Sequence, residues 1–331
     1  MRAKKLLITG GCGFIGSNFI HHVLHKYSGI EHTSCCPEHN KYSDSDIELD
    51  IEIMNVDCLT YAGNQDNLFG IDDVKNYHFS KTNITNMDEM KIVFSEFQPD
   101  IIVHFAAESH VDRSIESGAE FVNSNVLGTQ VLLDLSREFE IELFVHVSTD
   151  EVYGSMEKQD AIESDRLSPS SPYSASKASS DLLALAHHRT YGTPVIVTRC
   201  SNNFGPRQHV EKLIPKMISL ARSNQKLPIY GSGKQIRNWI HVKDHCEAIS
   251  MLIFEGQVGE IYNIGSETEI SNISLVEYIL HSLEKPIELI SYVEDRLGHD
   301  FRYGLDASKM RKFGWSPKIT LEEGLLLLLN S

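Results

Sequence analysis

Asp150 and Glu151 stand side by side after an apolar run, Leu143-Phe144-Val145-His146-Val147, that reads as a buried strand. With Ser148-Thr149 before them and Val152-Tyr153-Gly154 after, they sit where a strand gives way to a loop. In an open α/β sheet the ligand crevice lies at such strand ends. Two adjacent carboxylates there are costly to desolvate, so one tends to hold a proton while the other ionises. That pairing supplies an acid and a base from one short segment. Alone, the heptapeptide equally suits a solvated acidic turn or a helix N-cap. A second pair, Tyr173 and Lys177, is spaced by four and shares a face of a helix opening at Pro172. An ammonium near a phenol favours the phenolate and lowers its pKa from about 10. Tyr-x-x-x-Lys is common by chance, so its weight comes from its surroundings.

Those surroundings are an alternation of strands and helices. Leu6-Leu7-Ile8 reads as a first strand, and Thr9-Gly10-Gly11-Cys12-Gly13-Phe14-Ile15-Gly16-Ser17 as a glycine-rich turn into a helix over 18–26. Glycines let the backbone approach a pyrophosphate, and a helix N-terminus offers free N–H groups to it. The position between a strand and a helix at the start of the chain points to a dinucleotide. An acidic partner for the ribose is expected about 20 residues on, after the second strand. The strand 51–56 ends in Asp57, which favours NAD over NADP. The longer gap is a polar stretch over 31–50 that reads as a surface insertion. Its His32, Cys35, Cys36 and His39 do not match structural zinc spacing, and no metal is expected.

Further along, 77–79 is a short strand, Asn86 with Glu89 caps a helix, and 100–105 is a buried strand. The strand ends in small residues, Ala106-Ala107, which permit a flat cofactor against the backbone. A long helix is expected over 118–139, a polar loop over 160–172 and a strand over 194–199. A glycine/proline loop, Cys200-Ser201-Asn202-Asn203-Phe204-Gly205-Pro206, follows that strand in ligand-facing position. The pattern predicts a doubly wound parallel sheet. The character changes after that loop. A basic helix begins at 211–216, short strands are expected at 227–231, 235–240 and 260–265, and 242–254 reads as a helix. Thr320 with Glu323 makes a capping box for the last helix. Lys212, Arg237 and Arg296 lie near turns, where an anionic ligand needs cations.

Bulk composition sets the frame. Hydrophobic content of 41% and charged content of 23% are ordinary for a packed globular chain of 331 residues. Lys and Arg number 30 against 46 Asp and Glu, a net charge of −16, which argues against nucleic acid and anionic membranes as partners. The six cysteines show no disulfide-framework spacing, and no apolar run is long enough for a signal core or a membrane span. A cytoplasmic setting is expected.

Together the Thr-Gly-Gly-Cys-Gly-Phe-Ile-Gly turn, the Tyr173/Lys177 pair and the strand-end Phe-Ala-Ala-Glu-Ser resemble the extended short-chain dehydrogenase/reductase family. Within it the dTDP-glucose 4,6-dehydratases are more similar still. That likeness is carried by Asp57-Cys58-Leu59-Thr60-Tyr61-Ala62-Gly63-Asn64, Glu108-Ser109-His110-Val111-Asp112-Arg113-Ser114, Ser148 to Gly154, Asn202-Asn203-Phe204-Gly205-Pro206, Lys212-Leu213-Ile214-Pro215 and Asp295 to Asp300. The resemblance implies a Rossmann-type domain over 1–200 with a returning segment at about 238–265, and a smaller α/β substrate lobe over 201–331. It implies a hydro-lyase that dehydrates dTDP-glucose to the 4-keto-6-deoxy sugar in deoxysugar (rhamnose-type) biosynthesis, with a bound NAD reduced and reoxidised within one cycle. Thr149, Asp150, Glu151, Tyr173 and Lys177 would be catalytic. Gly10, Gly13, Phe14, Ile15, Gly16, Asp57, Cys58, Leu59, Thr60, Asn83, Ile84, Phe105, Ala106, Ala107, Ser109, Ser124, Tyr173, Lys177 and Asn203 would hold the cofactor. Ser109, Thr149, Asn202, Lys212, Leu213, Pro228, Tyr230, Arg237, Asn272, Arg296 and His299 would hold the nucleotide-sugar. A homodimer through 118–139 and 173–191 would complete the pattern.

The chain departs from that pattern in the 31–50 insertion, in Asn83 where the family has Asp near the adenine, and in Leu297 in place of a proline, which leaves its loop less rigid. A UDP-glucose 4,6-dehydratase or another NAD-dependent nucleotide-sugar dehydratase or epimerase is the neighbouring reading. The Asp150-Glu151 pair argues against an epimerase. An NAD(H)-binding regulator on the same fold needs a broken Tyr/Lys/Thr/acid set, and here the set is intact.

Overall fold

The apolar runs at the front of the chain become strands buried on both faces, as parallel sheets covered by helices require. The structure is a computed structural model that describes residues 4–28, 50–71 and 74–330. The 31–50 insertion, with its histidines and cysteines, lies outside the described residues except for Asp50. In chain order the first half comprises β1 (Lys4–Thr9), α1 (Phe14–Ser28), β2 (Ile51–Val56), β3 (Tyr77–Ser80), α2 (Met87–Phe97), β4 (Ile101–His104), α3 (Val111–Glu116), α4 (Ala119–Phe121), α5 (Gly128–Glu138), β5 (Leu143–Thr149), α6 (Pro172–Tyr191) and β6 (Val195–Cys200). The second half comprises β7 (Asn202–Phe204), α7 (Leu213–Arg222), β8 (Leu227–Tyr230), β9 (Ile236–His241), α8 (Val242–Glu255), β10 (Ile261–Ile264), β11 (Glu269–Ser271), α9 (Asn272–Ser282), β12 (Ile290–Val293), α10 (Ser308–Lys312) and α11 (Leu321–Asn330).

Seven strands form one parallel sheet in the order β10-β6-β5-β4-β1-β2-β3. This is the doubly wound arrangement expected from the sequence, and its order reverses between β1 and β4. Successive residues of a strand face opposite sides. Leu6 and Ile8 therefore join the core under α1 and α8, with Phe19, Leu24, Ile249 and Leu252. Leu7 joins the opposite core with Phe94, Leu132 and Leu133 from α2 and α5. The remaining strands make a small lobe of two sheets, β11-β9-β7 and β12-β8. Its own core is built on Phe204, Ile214, Trp239 and Leu275. The chain returns to the main sheet through α8, which packs on α1, and β10; residues 238–241 pair within the small lobe.

Three local expectations are corrected. Helix α1 begins at Phe14 rather than at 18, because Phe14, Ile15, Gly16 and Ser17 at the end of the turn are already helical. The long helix over 118–139 runs from 119 to 138 but widens into a π-helical stretch at Val122–Leu127. The 200–206 loop contains β7, whose Asn202, Asn203 and Phe204 align with Trp239, Ile240 and His241. Turn-forming residues are strand here because β9 lies alongside, a tertiary override of local preference. Both caps hold: the Asn86 side chain accepts the Glu89 N–H (3.3 Å), and Thr320 and Glu323 bond reciprocally (3.0 and 3.2 Å).

Candidate active site

The carboxyl ends of β1, β4, β5 and β6 open onto a cleft of about 490 Å³ roofed by the small lobe. Every residue singled out from the sequence for catalysis, cofactor or substrate lines this cleft, except Leu59. Leu59 has φ +56° and packs against the core, while its N–H donates to Asp57 Oδ1 (2.8 Å). It shapes the site without facing it.

Thr149 ends β5 and aligns with Cys200 on β6. The next four residues, Asp150–Tyr153, form a 3₁₀ turn. Thr149 Oγ1 accepts the Glu151 N–H (3.3 Å) and donates to Asp150 Oδ1 (3.3 Å). Gly154 follows at φ +75°, where a Cβ would lie 2.2 Å from the Ser168 carbonyl oxygen. Only glycine allows the chain to leave the turn by this route. Asp150 is 3% exposed, and its second oxygen has no partner among the described residues. Burial and then the neighbouring Glu151 push its carboxyl well above the usual range, against the pull of Arg237. Glu151 keeps part of its surface open to the cleft. Burial raises it too, but Arg237, Lys212 and Arg296 all draw it back. Adjacent carboxyls titrate as a pair, and these surroundings favour the proton on Asp150 over Glu151.

Helix α6 starts on a capping box between Ser171 and Ser174 with Pro172 at its first position. It carries Tyr173 and Lys177 to the same cleft. Lys177 is buried and donates to the Val147 carbonyl (2.8 Å), and burial lowers its ammonium to about 8. The phenol of Tyr173 lies well above its ordinary value because of burial, then Glu151, Cys200 and Asp150; its hydrogen bond with Thr149 works the other way. The lowering of Tyr173 expected from the spacing is therefore not seen in the protein alone. The ammonium bonds a strand carbonyl, and the groups acting most strongly on the phenol are acidic.

At the other end, Gly10 (φ +71°) passes so close to the segment leaving β4 that a Cβ would lie 2.6 Å from the Ala106 nitrogen. Asp57 is buried and accepts the N–H groups of Cys12 (2.9 Å) and Leu59. Burial nevertheless pushes its carboxyl up. Asn83 Oδ1 is tied to Thr85 N and Oγ1 (both 3.0 Å). On the sugar side Arg296 makes two bonds to Asp112 (2.5 and 3.2 Å), which also accepts the Tyr230 hydroxyl (3.2 Å). Arg237 is buried, donates to the carbonyls of Ile236, Asp300 and Phe301, and lies over the Tyr303 ring (4.1 Å). Lys212 donates to the Ser109 carbonyl (2.9 Å), and His299 pairs with Asp295 (2.7 Å).

The model of the GDP-mannose 4,6 dehydratase family matches residues 7–327. The chain belongs to that family. It is 43% identical to the low-salt glycan biosynthesis protein Agl12 of Haloferax volcanii, over 97% of this chain and 96% of that one. It is 44% identical to the dTDP-glucose 4,6-dehydratase of Streptomyces niveus, over 97% of this chain and 90% of the relative. Among solved structures, dTDP-glucose 4,6-dehydratase from Bacillus anthracis in complex with NAD superposes with a TM-score of 0.86 at 44% identity, covering 99% and 96% of the two chains.

In this member of the GDP-mannose 4,6 dehydratase family the cleft fits a dinucleotide at the β1 end. The first N–H groups of α1 have no intrahelical partner, and each Asp57 oxygen already oriented by a backbone N–H keeps capacity for a ribose hydroxyl. Towards the small lobe, Asn202 Oδ1, Gln208 Oε1 and Asn272 Oδ1 are buried acceptors with no partner among the described residues. Several lining residues were passed over in the sequence. Glu211 sits among Tyr61 (3.2 Å), His110 (3.4 Å) and Lys212 (3.4 Å), and Tyr303 donates to Asp300 (3.1 Å). Asp112 stands out in the sequence only as part of the Glu108 to Ser114 motif. None has a spacing that marks it; only the closeness of Glu211 to Lys212 and of Tyr303 to the 295–300 loop offered a signal. Among the described residues no group of three His, Cys, Asp or Glu is arranged to hold a metal, and no helix is long and apolar enough to cross a membrane.

Proposed function

We propose that this chain dehydrates dTDP-glucose to dTDP-4-keto-6-deoxyglucose and water, a hydro-lyase reaction of deoxysugar biosynthesis with NAD as resident cofactor. The observation that carries the reading is the acid pair Asp150/Glu151 in one cleft with Tyr173, Lys177 and Thr149. The dTDP-glucose name follows the relatives at 43–44% identity rather than the wider family's GDP-mannose.

When bound, NAD would supply a hydride acceptor for the sugar and, once reduced, a hydride donor within the same cycle. It would be held by the Gly10–Gly16 turn, Asp57, Ser124 and Asn203. Tyr173 accepts the proton of the sugar O4 while Thr149 orients that oxygen. Burial and then acidic neighbours hold the phenol high, so the Lys177 ammonium, with the positive charge an oxidised cofactor would bring, is what would let it act as a base. Oxidation at C4 acidifies the C5 proton. Glu151, drawn toward its ionised form by three cations, removes it. Asp150, kept protonated by burial, donates to the C6 hydroxyl as it leaves as water. Lys212, Arg237 and Arg296 supply the positive field for the diphosphate.

The β1–β6 sheet with the returning α8 and β10 serves the cofactor, and the rest of 201–331 mainly serves the nucleotide-sugar. Val122, Leu127, Leu182 and Tyr191 expose apolar surface on the segmented 119–138 helix and on α6, which supports a homodimer through these helices. A cytoplasmic site of action accords with the buried thiols of Cys200 and Cys246. The test is incubation with dTDP-glucose and, separately, UDP-glucose, with detection of a 4-keto-6-deoxy sugar. Product from dTDP-glucose is expected; product from UDP-glucose alone reassigns the nucleotide, and product from neither removes the reading.

A further inference from the structure

Behind the acidic turn lies a set of polar side chains withdrawn from solvent that has no part in the chemistry above. Arg199 and Tyr153 are each 2% exposed, and Asp181, His146 and Asn263 are fully buried. A buried guanidinium is costly unless paired and hydrogen-bonded. Here its partners come from separate elements. Arg199, on β6, donates from Nε to Asp181 Oδ2 (2.8 Å) and from Nη1 to the Tyr153 hydroxyl (2.8 Å). Its guanidinium also lies over the Tyr153 ring, 4.8 Å from the centroid. The Tyr153 hydroxyl donates onward to Asn263 Oδ1 on β10 (2.8 Å), and the Asn263 amide donates to the carbonyls of Ala161 and Asp306 (2.9 and 3.1 Å). The other oxygen of Asp181 meets His146 Nε2 on β5 at 3.4 Å.

The placement of these partners gives the network its meaning. Asp181 follows Lys177 by one helical turn on α6, the helix that also presents Tyr173. Tyr153 closes the 3₁₀ turn that presents Asp150 and Glu151. One guanidinium therefore grips the element carrying the Tyr/Lys pair and the element carrying the acid pair. Neither Arg199 nor Tyr153 lines the cleft. We infer that Arg199 and Tyr153 are positioning residues that fix the offset between the Tyr173/Lys177 pair and the Asp150/Glu151 pair. The inference rests on the dehydratase reading: a ketone formed at the first pair must be met by the second without the sugar moving. A displacement of about 1 Å remote from the reacting atoms can cost about a hundredfold in rate.

Tyr153→Phe keeps the ring and removes the hydroxyl. Arg199→Lys keeps the charge but loses the fork that serves two partners at once. With NAD-loaded protein and dTDP-glucose, Tyr153→Phe should lower kcat about a hundredfold with KM within about twofold. In a single turnover NADH should form at a rate close to wild type and then persist, because elimination alone is delayed. Hydrogen exchange on the same protein without sugar should quicken at 150–154 and stay unchanged along β5. A merely structural role lowers Tm and slows both half-reactions together, and that result overturns the inference, as does wild-type turnover. Arg199→Lys should show the same split, and if it fails to fold Tyr153→Phe decides alone. A wild-type protein that makes no keto sugar removes the dehydratase reading instead, and unchanged exchange at 150–154 in Tyr153→Phe then overturns the positioning on its own.

Discussion

The two ends of the cleft are made of different materials. At the β1 end the contacts on offer are mostly backbone: a glycine turn pressed against Ala106, the start of α1, and Asp57 oriented by two N–H groups. At the β5–β6 end and in the small lobe the contacts are side chains, and their charges act on one another. Asp150, Glu151 and Tyr173 are all displaced upward, and Lys177 is displaced downward. A backbone cradle binds a group common to many reactions and discriminates little between them. A cluster of displaced side chains selects one reaction. Burial opposes the charged form of Asp57 at the first end as well, with two backbone N–H groups working against it; at the second end four such groups crowd together.

The comparison breaks if the acid pair is dispensable. Asp150→Asn and Glu151→Gln should each lower dehydration by about a thousandfold, within the usual range for general acid–base groups, while NAD remains bound. Product formation with the cofactor content of the purified variants measures this. Full turnover by both would leave the acidic turn a structural feature. Tyr173→Phe should slow the earlier step, by about a hundredfold, seen as delayed NADH absorbance in a single turnover. NADH appearing at the wild-type rate would remove Tyr173 from that role.

The cofactor end should respond differently. Asp57→Asn keeps the side chain's size and removes the charge that favours ribose hydroxyls. It should weaken NAD binding about tenfold, the worth of a charge-assisted hydrogen bond, and turnover at saturating NAD should be close to wild type. A fall in turnover that added NAD does not restore would mean that the two ends are not separable.

This division also explains what was legible in the sequence. The backbone-built end was almost fully readable, because a glycine turn between a strand and a helix, followed by Asp57, depends on local order. The strands β1, β2, β4, β5 and β6 were equally plain as apolar runs. In the side-chain end, Asp150, Tyr173 and Lys177 were visible through their position at strand end and helix start. Glu211, Tyr303 and Asp112 drew no role of their own, because a charge or a phenol on a loop reads as solvated until folding sets it opposite others. Arg199 was visible only as the end of a strand; its partners Asp181 and Tyr153 come from two other segments, and Asn263, which accepts from Tyr153, from a third. Spacing also misjudged the phenol of Tyr173. Four residues of separation put Lys177 on the same helix face but say nothing of the Val147 carbonyl that accepts its hydrogen bond.

The smallest effect tests the link between chemistry and stability most directly. Asp150 has a raised carboxyl pKa in the folded chain against an ordinary value of 3.8. The folded state thus holds a proton more tightly than the unfolded state. Its contribution to stability is whole below the unfolded pKa and is lost as pH rises through the folded one. Asp150→Asn carries a neutral side chain of the same shape and suffers no such loss. Its Tm should match the wild type near pH 4 and exceed it increasingly as pH rises, by on the order of a few degrees at neutral pH. Glu151→Gln should show a weaker trend of the same sign, because Arg237, Lys212 and Arg296 already stabilise the ionised Glu151. A pair of Tm profiles measured across pH separates the two carboxyls. If Glu151→Gln gained more than Asp150→Asn, the proton would reside on Glu151, and the assignment of acid and base in the acidic turn would be reversed.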